Sequence, residues 1–261
     1  MHANEESKFT VERLRIVITP NRRKLGEYSA ANVIQIIKNI LQDKDEIRMI
    51  FAAAPSQDEF LQELVKDKSI DWSKIIAFHM DEYIGLPEKA EQLFSEYLTR
   101  HLFSKVDFKK VHLINSHTDD IDKECERYES LLKEKPIDIV CMGIGENGHI
   151  AFNDPPVADF SDEKFVKIVM LDESCRKQQV NDGCFLRLPD VPKRAITITI
   201  PALLNGKYLN VVVPGIRKAN AIKDVLSGDI STECPASILR KHKNASLYLD
   251  LDSASKYIKS A

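Results

Sequence analysis

Ile137-Asp138-Ile139-Val140-Cys141-Met142-Gly143-Ile144-Gly145-Glu146-Asn147-Gly148-His149-Ile150-Ala151-Phe152-Asn153-Asp154-Pro155 decides how this chain is read. The run Ile137–Met142 is apolar and short, the pattern of a buried β-strand. Gly143, Gly145 and Gly148 then let the backbone turn sharply at the strand's carboxyl end, where α/β sheets place their ligands. Beyond the turn an imidazole, His149, and a carboxyl group, Asp154, stand five residues apart. A histidine held by a carboxylate carries protons at neutral pH. A glycine turn merely capped by a histidine has the same look, since short glycine patterns recur by chance.

A second segment weighs against chance. The apolar run Ile75–Met80 ends directly in Asp81-Glu82-Tyr83-Ile84-Gly85-Leu86-Pro87. Two adjacent carboxylates where a strand meets a loop are costly to bury and natural at a site. The bland alternative is a solvated acidic turn ahead of a helix.

Outward from these segments, apolar runs alternate with amphipathic stretches. Strands are predicted over Leu14–Ile18, Arg48–Ala53, Ile75–Met80, Val111–Leu113, Ile137–Met142, Phe165–Met170, Ala195–Ile200, Tyr208–Val213 and Ser246–Leu249. Helices are predicted over Leu25–Leu41, Asp58–Val65, Glu91–His101, Asp120–Lys133, Arg217–Leu226 and Pro235–Arg240. This alternation implies an α/β fold, a three-layer sandwich with a Rossmann-like, mostly parallel sheet and helices on both faces. No linker, low-complexity tract or fixed-period repeat divides the chain, so a single domain is expected over residues 1–261, with residues 1–10 flexible. The polar stretches Asn153–Asp162 and Asp172–Asp190 read as a loop over the site and a lid, or as ordinary surface connections.

Lys plus Arg number 37 against 40 Asp plus Glu, a formal charge of −3 that offers no domain-wide basic excess for nucleic acid or an anionic membrane. The local cluster Asn21-Arg22-Arg23-Lys24 reads as a solvated turn. Cys125, Cys141, Cys175, Cys184 and Cys234 are odd in number and form no zinc-ligand spacing. Reduced thiols, a polar start without a signal-peptide core, and no apolar run near the ~18 residues of a membrane helix lead to the expectation of a cytoplasmic protein. Cys141 and Trp72 read as packing residues.

The two segments resemble the glucosamine-6-phosphate deaminase (isomerase) family, related to the 6-phosphogluconolactonases. The likeness extends through Val191-Pro192-Lys193-Arg194-Ala195-Ile196-Thr197 and Gly215-Ile216-Arg217-Lys218-Ala219, and spans roughly Arg13 to Asp250. It implies conversion of an amino-sugar phosphate, glucosamine 6-phosphate first, to a ketose phosphate and ammonia. No redox step is involved, so no nicotinamide is expected, nor any other cofactor or metal. By the same resemblance Asp81 would take the C2 proton, and His149, oriented by Asn147 and Asp154, would open the ring. Residues expected to contact substrate are Glu82, Gly148, Lys218, Ser56 and Arg176. The implied partner is a small sugar phosphate, and the family allows a homo-oligomer.

The chain departs from the family pattern in places. Asn147 and Asp154 stand where many members have Asp and Glu. The usual Gly-Gly-(Ser/Thr)-Pro phosphate turn is replaced by Ala52-Ala53-Ala54-Pro55-Ser56, where Ser56 reads as a helix N-cap. Asn181 falls where the phosphate arginine is expected, leaving Arg176 or the Arg22-Arg23-Lys24 run as substitutes. Two other classes stay open: a sugar-lactone hydrolase, disfavoured by Tyr83 where lactonases tend to have Arg, and a non-catalytic sugar-phosphate sensor. A metal hydrolase built on His79, Asp81 and His149 matches no metal spacing.

Overall fold

A computed structural model describes residues 6–259. The first half runs β1 (Ser7–Val11), β2 (Leu14–Thr19), α1 (Arg22–Asp43), β3 (Ile47–Phe51), α2 (Asp58–Lys66), β4 (Ile75–His79), β5 (Asp81–Ile84), α3 (Phe94–Leu98) and β6 (Lys110–His112). The second half runs α4 (Ile121–Lys133), β7 (Ile139–Met142), β8 (Val166–Met170), α5 (Glu173–Asn181), β9 (Arg194–Ile198), α6 (Ile200–Leu204), β10 (Tyr208–Val213), α7 (Ala219–Ser227), β11 (Ala245–Asp250) and α8 (Leu251–Ile258).

Eight strands form one sheet in the order β1-β2-β11-β10-β7-β3-β4-β6, parallel throughout except where the hairpin strand β1 pairs with β2. Successive side chains of a strand point to opposite faces, so both faces must be covered if a strand is apolar on both. Val140 and Met142 of β7 pack with Ile222 and Val225 of α7 and Tyr128 and Leu132 of α4. Ile139 and Cys141 of the same strand join the opposite core, with Val33 and Ile37 of α1 and Phe60 and Leu64 of α2. The three-layer expectation holds for this reason. Trp72 is buried in the second core, its ring set edge-on to that of Phe108 with centroids 4.8 Å apart.

Two predicted strands belong elsewhere. β8 and β9 pair antiparallel with each other, and β9 pairs antiparallel with β5 in a separate three-stranded sheet. The single-sheet expectation fails here because strand pairing is chosen by tertiary contact, which an apolar run does not specify. β5 forms where the sequence Asp81-Glu82-Tyr83-Ile84 shows no apolar alternation and reads as loop. The segment Glu91–His101 becomes α3 followed by a π-helical turn over Thr99–Phe103, and Pro235–Arg240 is a 3₁₀ helix. Of the expected flexible start, residues 1–5 lie outside the described residues and Ser7–Val11 forms β1. Among the described residues the cysteines are free, and no helix is long and apolar enough to cross a membrane.

Candidate active site

Four neighbouring strands, β10, β7, β3 and β4, end at the same edge of the large sheet, and the segments leaving them line one pocket. β10 delivers Lys218, β7 delivers Gly143, Ile144, Gly145, His149 and Ala151, β3 delivers Ala52, Ala53, Ala54 and Ser56, and β4 delivers Met80 and Asp81. Phe94, Phe152 and the α5 residues Gln178 and Gln179 complete the lining.

The glycine turn is shaped around the histidine. A Cβ on Gly145 would lie 2.2 Å from His149 Cε1 and 2.3 Å from Nδ1, so only glycine lets the ring lie there. Gly148 has φ +82°, and a Cβ there would meet Cys234 Sγ at 2.7 Å. Its carbonyl accepts from Ala236 N–H, and it is absent from the pocket lining, so Gly148 shapes the turn and does not face substrate. Past His149 the chain doubles back: Ala151 is left-handed (φ +50°), Asn153 N–H donates to Ile150 carbonyl, and Phe152 N–H donates to Thr197 Oγ1. That reversal returns Asp154 to the imidazole.

His149 Nδ1 stands 2.7 Å from Asn147 Oδ1 and 2.9 Å from Asp154 Oδ1. Both neighbours are acceptors, because Asn147 Nδ2 donates to Asp154 Oδ1 at 2.9 Å. Nδ1 therefore carries a proton, so that in the neutral ring the lone pair lies on Nε2. Asn147 also fixes the backbone, accepting from His149 N–H at 3.2 Å. Burial pushes the Asp154 carboxyl up, but the charge of His149 and hydrogen bonds from His149 and Asn147 outweigh it and hold the group below the ordinary carboxylate range. His149, Asp154 and Cys175 each offer a metal-type ligand atom, all within 4.8 Å of one another. Because Nδ1 is already engaged twice, we read the trio as a proton-handling unit.

Asp81 lines the pocket but is only 6% exposed. Burial, and secondly the charge of Glu82, raise its carboxyl well above the ordinary range. A carboxylate so placed holds a proton tightly once it has taken one. Lys218 is also buried, and burial lowers its ammonium from the usual value. Among the described residues it has no hydrogen-bonded or ion-paired partner, so its charge is available to an anionic ligand.

Three expected contacts are not brought to the pocket. Gly148 is one. Glu82 is another: it turns inward from β5, and its carboxylate accepts from the N–H groups of Tyr83 (2.9 Å), Phe94 (3.0 Å) and Ser95 (2.9 Å). It caps the start of α3, satisfying donors that the helix itself leaves open. Glu82→Ala is therefore expected to lower the unfolding free energy by about 2–4 kcal/mol. Urea unfolding measures this, and a midpoint equal to wild type would remove the cap from the account. Arg176 is the third, since its guanidinium donates to the carbonyls of Leu188 (2.7 Å) and Val191 (2.9 Å) and ties down the segment after α5.

Ser56 does line the pocket, although not as a helix cap. It sits in a 3₁₀ turn, Pro55–Gln57, and its hydroxyl accepts from Gln57 Nε2 at 3.2 Å. Among the basic residues suggested as phosphate substitutes, Arg22 is paired with Glu59 at 2.6 Å and donates to the Pro55 carbonyl, while Arg23 and Lys24 pair with Glu27. Asn181 presents its carbonyl to Arg217 at 3.0 Å. His79 is fully buried away from the pocket, accepts from Ile114 N–H, and is driven down to about 3 by burial. It is a neutral packing residue.

Gln178, Gln179 and Cys175 were missed. They lie on α5, inside the stretch read as a polar lid or connection. Their spacing, i, i+3 and i+4, is the signal that they share one helix face. Gln178 Oε1 accepts from Glu146 N–H at 2.7 Å, so α5 braces the glycine turn from above.

Residues 20–248 match the family model for glucosamine-6-phosphate isomerases and 6-phosphogluconolactonase. A glucosamine-6-phosphate deaminase of Bacillus cereus (strain B4264) is 34% identical over 232 residues, covering 89% of this chain and 86% of the relative. One from Bacillus cytotoxicus is 33% identical, covering 93% and 88%. Among solved structures, a monomeric glucosamine-6-phosphate deaminase superposes with a TM-score of 0.85 at 27% identity, covering 92% of this chain and 99% of the other. A 6-phosphogluconolactonase of Thermotoga maritima gives 0.71 at 20% identity, covering 87% and 95%, a likeness of fold.

Proposed function

This chain belongs to the family of glucosamine-6-phosphate isomerases and 6-phosphogluconolactonases, and from that premise we propose that it is an enzyme converting an amino-sugar phosphate, glucosamine 6-phosphate first, to the ketose phosphate and ammonia. The observation that carries this reading is the convergence of a strongly proton-affine carboxylate, an oriented imidazole and an unpaired lysine on one pocket. In a ring-closed 2-amino sugar, His149 Nε2 would take the proton of the C1 hydroxyl and return it to the ring oxygen, opening the ring. Asp81 would then remove the C2 proton while the C1 oxygen is protonated, giving an enolamine. Reprotonation at C1 places the C=N bond at C2, and water releases ammonia to leave the ketone. Asn147 and Asp154 hold the imidazole tautomer through all of this. Lys218, with the Ser56 hydroxyl, would meet the phosphate.

Lys218→Met is expected to raise KM for the phosphorylated sugar about 10–100-fold, the loss of one charge-assisted contact, with kcat much less affected. An unchanged KM would move the phosphate elsewhere in the pocket. The reading as a whole is tested by ammonia release from glucosamine 6-phosphate, with galactosamine 6-phosphate, unphosphorylated glucosamine and 6-phosphogluconolactone alongside. Turnover of an amino-sugar phosphate supports it. Lactone hydrolysis without ammonia from any amino sugar would replace it with the lactonase class.

A further inference from the structure

Gln57 stands behind the pocket wall and has no part in the reaction scheme. It closes the 3₁₀ turn Pro55–Gln57 and immediately precedes α2, yet its side chain does not cap that helix. It is 1% exposed, and its amide oxygen, Oε1, takes no hydrogen bond from any described group. A buried acceptor without a donor is costly, and an apolar side chain of the same length would avoid that cost. The nitrogen is the bonded end. Nε2 donates to the Val212 carbonyl at 3.2 Å and to Ser56 Oγ at 3.2 Å, which uses both of its hydrogens. A backbone carbonyl only accepts, so the amide cannot be turned over without setting oxygen against oxygen at Val212.

Those two bonds join three strand ends. Ser56 follows β3, Val212 is the penultimate residue of β10, and β10 leads to Lys218. Gly143, which opens the turn after β7, packs on the same spot. A Cβ there would lie 3.2 Å from Gln57 Nε2, 3.5 Å from Ser56 Oγ and 3.5 Å from the Val212 carbonyl oxygen. For Ser56 the consequence is a matter of counting. Its Oγ accepts from Gln57, so its single hydrogen is directed elsewhere. Among the described residues none accepts that hydrogen, and Ser56 lines the pocket.

We propose that Gln57 is a positioning residue of the phosphate site: its amide engages Ser56 Oγ from the protein side, so that the hydroxyl presents its hydrogen to an anionic ligand in the pocket. The inference rests on the phosphate role given to Lys218 and Ser56 above. A phosphate dianion only accepts, so a hydroxyl committed to donating is matched to it. Because the same amide is anchored on β10, it also fixes the hydroxyl relative to the strand that carries Lys218.

The test compares wild type, Gln57→Met, Ser56→Ala and the double variant. Calorimetry reads binding of fructose 6-phosphate and of inorganic phosphate, and kinetics reads kcat and KM for the amino-sugar phosphate. Gln57→Met keeps the length of the side chain and loses both donors. It is expected to weaken binding of both ligands and raise KM about 3–10-fold, the worth of one net hydrogen bond, with a much smaller effect on kcat. Ser56→Ala should cost at least as much. The double variant should bind no more weakly than Ser56→Ala, since an amide that acts through a hydroxyl has nothing to hold once the hydroxyl is gone. Gln57→Glu is a second probe of unchanged size. Ionised or not, its carboxyl has at most one hydrogen and cannot serve both Val212 and Ser56, so the Ser56 hydroxyl turns inward and phosphate affinity should fall further than in Gln57→Met. Either variant binding as tightly as wild type overturns the proposal. So do losses that add in the double variant, which would mean that the amide acts through something other than Ser56. A wild type that turns over no amino-sugar phosphate, yet shows this pattern in binding, would end the deaminase reading and keep the role of Gln57. Ammonia release with phosphate binding indifferent to Gln57 would do the reverse. A wild type that binds neither ligand would overturn the phosphate site and this inference together.

Discussion

Asp81→Asn is expected to cut ammonia release by about 10³-fold while leaving the protein folded and more stable than wild type. The rate loss follows from removing the base that takes the C2 proton, a role worth roughly 10²–10⁴. Asparagine keeps the shape and cannot accept the proton. The gain in stability follows from the raised carboxyl of Asp81. A group whose folded pKa exceeds its unfolded one costs nothing while both states are protonated. Above the unfolded value of about 4 the unfolded chain ionises freely and the folded one does not, so wild-type stability falls as pH rises through that range. Asparagine has no such dependence. The advantage of the variant should therefore be absent near pH 3, appear above about pH 4, and grow until the folded-state carboxyl has itself ionised. Glu82, also raised by burial, titrates in both proteins and largely cancels from the comparison. Urea unfolding across pH, with ammonia release on the same samples, reads both effects. A variant that keeps its rate would remove Asp81 from the chemistry; one that is less stable at neutral pH would mean the carboxylate is held ionised by a partner. The combination sought, slower and more stable, is the signature of a group retained for function against the interest of the fold.

Gly145→Ala should be nearly as damaging to the rate, through a single methyl group. The nearest atoms to that methyl would be His149 Cε1, Nδ1 and Nε2 at 2.2, 2.3 and 2.4 Å, so the ring cannot stay. Gly145 is not among the positive-φ residues, so alanine meets no backbone objection and the effect is one of space alone. A side chain swung out of its place loses both Asn147 and Asp154. We expect kcat to fall about 10²-fold or more, approaching the value for His149→Ala. The double variant Gly145→Ala, His149→Ala should be no slower than His149→Ala, because a displaced ring and a deleted ring are the same loss. Additive losses would mean that the methyl group acts on something other than the imidazole. A near-wild-type rate for Gly145→Ala would mean that the working imidazole sits elsewhere.

Much of this was legible before folding was considered. The strands β2, β3, β4, β7, β10 and β11 and the helices α1, α2 and α4 announce themselves because their apolar periodicity is a local property, written within a few residues and imposed by burial on one face or two. Asp81 and His149 were legible for a related reason: Asp81 follows directly on an apolar run and His149 on the glycine turn that ends one, and carboxyl ends of parallel strands are where such a sheet opens to a ligand. The α5 face was not, since its buried residues are Cys175, Gln178 and Gln179, which carry no hydrophobic signal. Nor was the fate of Glu82. Neighbouring residues of a strand point to opposite faces, so once Asp81–Ile84 is a strand, Asp81 at the pocket sends Glu82 to α3.

The sequence by itself determined most strands of the large sheet and the helices α1, α2 and α4, that both faces of that sheet would be covered, and that His149 and a carboxyl group, Asp154, would stand five residues apart at the end of a glycine turn. Tertiary structure alone decided that β7 would lie between β10 and β3, with β4 next, which sets Lys218, His149, Ser56 and Asp81 around one pocket. It also decided that β5, β8 and β9 would leave the main sheet and that Arg176 would be spent on loop carbonyls. The physical reason is range. Periodicity, turn geometry and capping act over one or two turns of chain, whereas strand order depends on pairing partners far apart in sequence, chosen by how the apolar faces of the whole sheet can be buried at once.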